Sequence, residues 1–103
     1  MQSRIGRISA LLKDSPRDEF LRHALALEYQ KSGELDEARK VFESLLHDSP
    51  GYIGSYYHLG KLLEHQNENE GAKEWYLKGM ELAKANDDRH TYNELKAAYE
   101  DIS

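Results

Sequence analysis

Pairs of similar residues stand 34 positions apart along much of this chain, and this period constrains its fold more than any other feature. Pro16 and Pro50 are 34 apart, as are Leu25 and Leu59, Tyr29 and Leu63, Gly33 and Asn67, Ala38 and Ala72, and Phe42 and Tyr76. A period of this length marks a stacked helical repeat, in which each unit buries its apolar side against a neighbour. The run from Ile8 to Pro16 aligns at the same offset with Phe42 to Pro50, so the first helix reads as the second half of an incomplete unit.

The apolar spacing then divides the chain into six helices. Ile5, Ile8, Leu11 and Leu12 predict an amphipathic helix from about Ser3 to Lys13, expected to cap the core, with a membrane-surface or partner-binding helix as its alternative. Ser15 is the expected cap of the next helix, over 16–31, with Pro16 in its first turn and Asp18 completing a capping box. Phe20, Leu21, Ala24, Leu25, Leu27 and Tyr29 give that helix apolar groups on more than one side, so it should touch two neighbours. Gly33 supplies the left-handed turn into a helix carrying Leu35, Ala38, Val41, Phe42, Leu45 and Leu46. Ile53, Tyr56, Leu59, Gly60 and Leu63 repeat the first of these helices, and Asn67 takes the place of Gly33. Ala72, Trp75, Tyr76, Gly79, Met80 and Ala83 repeat the second. No proline closes this second unit, and Tyr92, Leu95 and Tyr99 return at an offset of 36, so two residues are inserted before the last helix.

Composition limits what such a stack can do. With 32% charged residues and a mean hydropathy of -0.85, the chain suits thin helical layers wetted on their outer faces, while the apolar register argues against disorder. A formal charge of -5 disfavours nucleic acid and acidic membrane surfaces. The absence of cysteine excludes disulfides and thiolate metal sites. The apolar runs are too short for a membrane span, Met1 to Lys13 lacks the core of a signal peptide, and the cytoplasm is the expected location.

Arg22-x2-Leu25-Ala26-x2-Tyr29, then Ala38-x3-Phe42 and Pro50, resembles the tetratricopeptide repeat, as does Tyr56-x2-Leu59-Gly60-x2-Leu63 followed by Ala72-x3-Tyr76. The resemblance implies an all-α, right-handed helical-hairpin solenoid of about six antiparallel helices. The expected organisation is one domain over 1–103: an N-terminal half-repeat helix (1–15), a first repeat (16–50), a second repeat (51–86) and a C-terminal capping helix (87–103). Ala26 or Gly60, with Ala38 or Ala72, would let two backbones approach. Ala38→Leu should therefore overpack that junction by about 1–3 kcal/mol, and an unchanged melting curve would overturn the register. Arg22 departs from the family by standing where an aromatic residue is usual.

In tetratricopeptide proteins the first helix of each unit lines a concave groove that holds a partner's peptide or helix. The resemblance carries this role to Phe20, His23, Leu27 and Gln30, to Tyr57, Lys61 and Glu64, and to His90, Asn93 and Ala97. Phe20 and Leu27 have packing between helices as their alternative. One well-known subclass grips a C-terminal carboxylate with a set of Lys and Asn residues. The matching positions here hold His23 and Leu27, then Lys61, then His90 and Glu94, so acidic C-terminal peptides should bind weakly or not at all.

No other chemistry is expected. The five histidines form no close pair of metal-ligand spacing, so no metal or other cofactor is called for. His47-Asp48-Ser49 has triad residue types, but neighbours at a helix end cannot line up as nucleophile, base and orienter. Asp18/Arg22, Asp36/Lys40 and Glu74/Lys78 are spaced as helical ion pairs. Trp75 either packs beneath the last helix, near Tyr92 or Tyr99, or forms an exposed contact site. The expected function is a non-catalytic protein-protein interaction module, a scaffold element binding a protein or peptide partner and neither nucleic acid nor membrane. A self-associating assembly module, using a terminal helix or the Trp75 face, is the alternative. An RNA-binding helical repeat shares a similar period, but the acidic balance and the scarcity of groove arginines weigh against it.

Overall fold

The computed structural model describes residues 3–103; residues 1 and 2 of the expected domain lie outside them. Among the described residues the chain forms six helices and no strand: α1 (Arg4–Asp14), α2 (Glu19–Lys31), α3 (Leu35–Asp48), α4 (Gly54–His65), α5 (Asn69–Ala85) and α6 (Arg89–Asp101). They gather into two compact units, Met1–Pro50 and Gly51–Ser103.

In the first unit α2 packs against both α1 and α3, as its apolar positions require. Ser3 caps α1 by accepting from the Gly6 N–H at 3.0 Å. The start of α2 corrects the sequence reading. Ser15 closes α1, its N–H donating to the Leu11 carbonyl at 3.1 Å, and Asp18 is the N-cap of α2, accepting from the Leu21 N–H at 2.9 Å. A helix N-terminus needs one acceptor at this place, and the carboxylate three residues further on supplies it. Ala26, Ala38, Phe42, Leu45 and Leu46 are the buried residues of this unit.

Arg22 explains how the unit tolerates the loss of an aromatic. Its side chain is only 12% exposed, and its guanidinium reaches Ser44 Oγ at 2.8 Å and Asp48 Oδ2 at 3.0 Å on α3. The long stem fills space while the charged head ties the end of α3 to α2. The expected Asp18/Arg22 pair is thus replaced, since the Asp18 carboxylate is committed to its cap. Lys40 meets Glu37, at 3.6 Å, and Lys78 stands over the Trp75 ring, 4.5 Å from its centre.

In the second unit α5 lies against both α4 and α6. Its core is Tyr56, Leu59, Leu62, Leu63, Ala72, Tyr76, Ala83, Leu95 and Ala98. A Cβ added at Gly79 of α5 would come within 2.8 Å of Leu95 Cδ1 and 2.9 Å of Tyr56 Cβ, so this glycine admits α4 and α6 side chains together. Trp75 is half-buried and its ring meets Tyr56 of α4, with centroids 5.9 Å apart.

Two kinds of joint connect the helices. At Gly33 (φ 82), Asn67 (φ 60) and Asp87 (φ 55) the backbone is left-handed. Each is followed by a residue whose N–H returns to a carbonyl five positions back: Glu34 to Tyr29, Glu68 to Leu63 and Asp88 to Ala83, at 2.8–2.9 Å. This is the Schellman closure. At Ser15 and Ser49, each followed by proline, φ is instead near -135. The two-residue insertion before α6 is therefore a change of joint. Where the proline is missing, the chain uses the tight turn otherwise found inside a hairpin, and α5 runs on to Ala85.

Candidate partner-binding face

The face on α4 is built by helical spacing. Tyr57, Lys61 and Glu64 are four and three residues apart, which places them in one row on the helix surface. Tyr57 is 36% exposed. Lys61 Nζ lies 5.6 Å from the centre of its ring and 3.6 Å from Glu64 Oε2. The Tyr57 ring is also edge-on to His58, centroids 5.9 Å apart, and burial lowers the His58 pKa from its ordinary value.

A residue of α5 completes this row. Tyr76 is fully buried, and its ring passes over Gly60, where a Cβ would lie 2.2 Å from Cε1. Its hydroxyl emerges at Glu64 and donates to Oε2. Burial first, and then the bond to Glu64, raise the pKa of this hydroxyl far above its ordinary value, with Tyr57 and Asp101 adding to the shift. It stays protonated at neutral pH and donates to the Glu64 carboxylate. The room that Gly60 leaves, expected to bring two backbones together, holds the Tyr76 ring. The signal was present as a difference between the repeats. The first unit has Ala26, Gln30 and Phe42 where the second has Gly60, Glu64 and Tyr76.

On α6, which shares this unit, His90 and Asn93 are exposed, and His90 Nε2 lies 3.6 Å from Glu94 Oε1. In the first unit α2 carries the other named residues. Phe20 is 69% exposed, whereas His23 and Leu27 are half-buried, His23 with its ring against Phe42 at 5.8 Å. His23 and Leu27 are thus partly walls of their own unit, while Phe20 presents most of its ring to solvent.

Elsewhere the polar groups are structural. Asp48 sits between His47 Nδ1, at 3.4 Å, and the Arg22 guanidinium, and hydrogen bonds to both lower its pKa. Asp88 caps α6 by accepting from the Thr91 N–H at 3.1 Å, and hydrogen bonds from the Thr91 side chain and then from its backbone lower the Asp88 pKa as well. Among the described residues no group of three or more His, Asp or Glu side chains is placed to hold a metal ion. No helix among them is long and apolar enough to cross a membrane.

Paired antiparallel helices repeated at 34 residues define an all-α helical-hairpin repeat protein. The profile of the tetratricopeptide repeat matches residues 29–99. A tetratricopeptide repeat domain protein from Salinibacter ruber, solved by NMR, is 36% identical, with 85% of this chain and 89% of that one covered and a TM-score of 0.82. A crystal structure of a tetratricopeptide repeat domain protein from the same organism is also 36% identical, covers 82% and 94%, and has a TM-score of 0.77. A protein of Bordetella parapertussis, 25% identical over 99% of this chain and 89% of its own, superposes with a TM-score of 0.85. Among curated proteins none matches. The chain belongs to the tetratricopeptide repeat family, whose domains generally mediate protein-protein interactions.

Proposed function

We propose that this protein is a non-catalytic binding module that holds a peptide or helix of a partner protein against its first-position helices. The observation that carries the reading is the Tyr57–Lys61–Glu64 row. It presents an accessible aromatic ring and two opposite charges from a rigid helix whose other side is buried. A preformed surface of this kind limits the ordering cost of binding. His90 and Asn93 on α6 belong to the same face in this reading, and Phe20, His23 and Leu27 give α2 of the first unit a corresponding one. Residence in the cytoplasm and service within a larger assembly fit the same role.

Affinity capture from the native organism tests it, with Tyr57→Ala/Lys61→Glu alongside the natural sequence. The partner should be lost with the double variant, and a retained helical circular dichroism spectrum at the capture temperature shows that the loss is not unfolding. A partner retained undiminished would mean that α4 is not the binding helix. Self-association would appear as concentration dependence in sedimentation, and α1, which buries none of its residues and leaves Leu11 54% exposed, offers it an open surface.

A further inference from the structure

We propose that the first unit takes a tryptophan side chain of a partner protein into a cavity whose counterpart in the second unit is filled by that unit's own Trp75. This goes beyond the reading of α4 and concerns a different surface. The cavity, of about 280 Å³, has walls that include Leu12 of α1, Pro16, Arg22 and Leu25 of α2, and Val41 and Ser44 of α3. At about 3.6 residues per turn, Arg22 and Leu25 stand on the side of α2 away from Phe20, His23 and Leu27.

The repeat itself indicates what fits. At the 34-residue offset Arg22 corresponds to Tyr56, Leu25 to Leu59, Val41 to Trp75 and Ser44 to Lys78. The Trp75 ring meets Tyr56, with centroids 5.9 Å apart, and Lys78, whose Nζ is 4.5 Å from the ring centre. Both are counterparts of residues that line the cavity. Leu59 is fully buried, whereas Leu25 at the same place in the first unit is half-buried. What the first unit lacks here is the indole that Val41 does not supply. A space of about 150 Å³ walled by aliphatic side chains takes up benzene, so this larger one admits an indole. Arg22 favours an aromatic group over an aliphatic one. Its guanidinium is held by Ser44 and Asp48 through Nη2, and a guanidinium bonded along its edge keeps its face for stacking. Tryptophan is the strongest such partner and covers the largest area. The occupant in the second unit is a side chain presented by a protein segment, and the matching occupant here is a partner segment with an exposed tryptophan.

Amide chemical-shift mapping on the full chain tests this, with N-acetyl-tryptophanamide and N-acetyl-leucinamide as probes. The tryptophan amide should shift Leu12, Leu25, Val41 and their neighbours, and the leucine amide should bind at least about tenfold more weakly. Val41→Trp fills the cavity as the second repeat does. It should keep its helical circular dichroism spectrum and bind the tryptophan amide at least about tenfold more weakly than the natural protein. Equal response to the two amides, shifts that fall elsewhere on the chain, or a folded Val41→Trp that binds undiminished would overturn the site. The map on the natural protein decides even where that variant fails to fold. Displayed random dodecapeptides selected on the natural chain should be enriched in tryptophan and should be lost with Val41→Trp. No such enrichment, alongside a tryptophan amide that still maps to the cavity, would make this a small-molecule site and overturn the partner segment.

Discussion

Phe42→Ala is expected to cost the fold about 3–5 kcal/mol, while the same substitution at Phe20 should cost less than about 0.5 kcal/mol. Phe42 is fully buried on α3 with its ring against His23 of α2, and truncation leaves a cavity that the helices can only partly close. Domains of this size have only about 5–15 kcal/mol in total, so the loss should be visible in any denaturation curve. Phe20 is 69% exposed in the first turn of α2, and removing its ring uncovers little that water does not already reach. Its effect should fall on partner capture instead. If Phe20→Ala melts as early as Phe42→Ala, Phe20 is a packing residue and leaves the binding set.

Gly60→Ala sets two opposing effects against each other. Alanine in a helix interior is favoured over glycine by about 1 kcal/mol. Against this, the new methyl would stand 2.2 Å from Cε1 of a tyrosine ring that is fully buried and anchored at its far end to Glu64. Overpacking at such a site typically costs about 1–3 kcal/mol, and a contact this close belongs at the upper end, so a net loss of about 2 kcal/mol is expected. For a domain of this size that corresponds to a melting temperature lower by roughly 10 °C. Adding Tyr76→Phe releases the anchor and lets the ring shift, so the double variant should be more stable than the sum of the two singles predicts. Strict additivity would show that the ring is not held by its hydroxyl.

The helices and their pairing were legible because they rest on features that repeat. Apolar residues recur at helical spacing, and Gly33 and Asn67 mark two of the three left-handed turns. The third turn was harder to see. Asp87 tolerates a left-handed backbone through its short polar side chain, but aspartate is common at helix ends for other reasons. The start of α2 was misplaced because Ser15 and Asp18 are both good caps, and only the closure of α1 decides which of them is free. At the candidate face the residues on α4 come from the resemblance to the tetratricopeptide repeat, and helical spacing puts them in one row. The Tyr76–Glu64 bond did not, because it joins residues of two helices across a gap that a single glycine opens. Trp75 is similar. The expectation set it near Tyr92 or Tyr99, and its ring contact is with Tyr56 of α4, a choice made by how the helices cross.

The passage of Tyr76 over Gly60 also makes ligand occupancy and hairpin stability a single equilibrium. One end of this side chain is packed in the core, and the other holds a carboxylate of the candidate face. Whatever steadies Glu64 from outside steadies the tyrosine behind it, and loosening the hairpin must weaken binding by the same free energy. A ligand at this face should therefore raise the melting temperature, by an amount that grows with the logarithm of its concentration once that exceeds Kd, so that heat denaturation reports on the site.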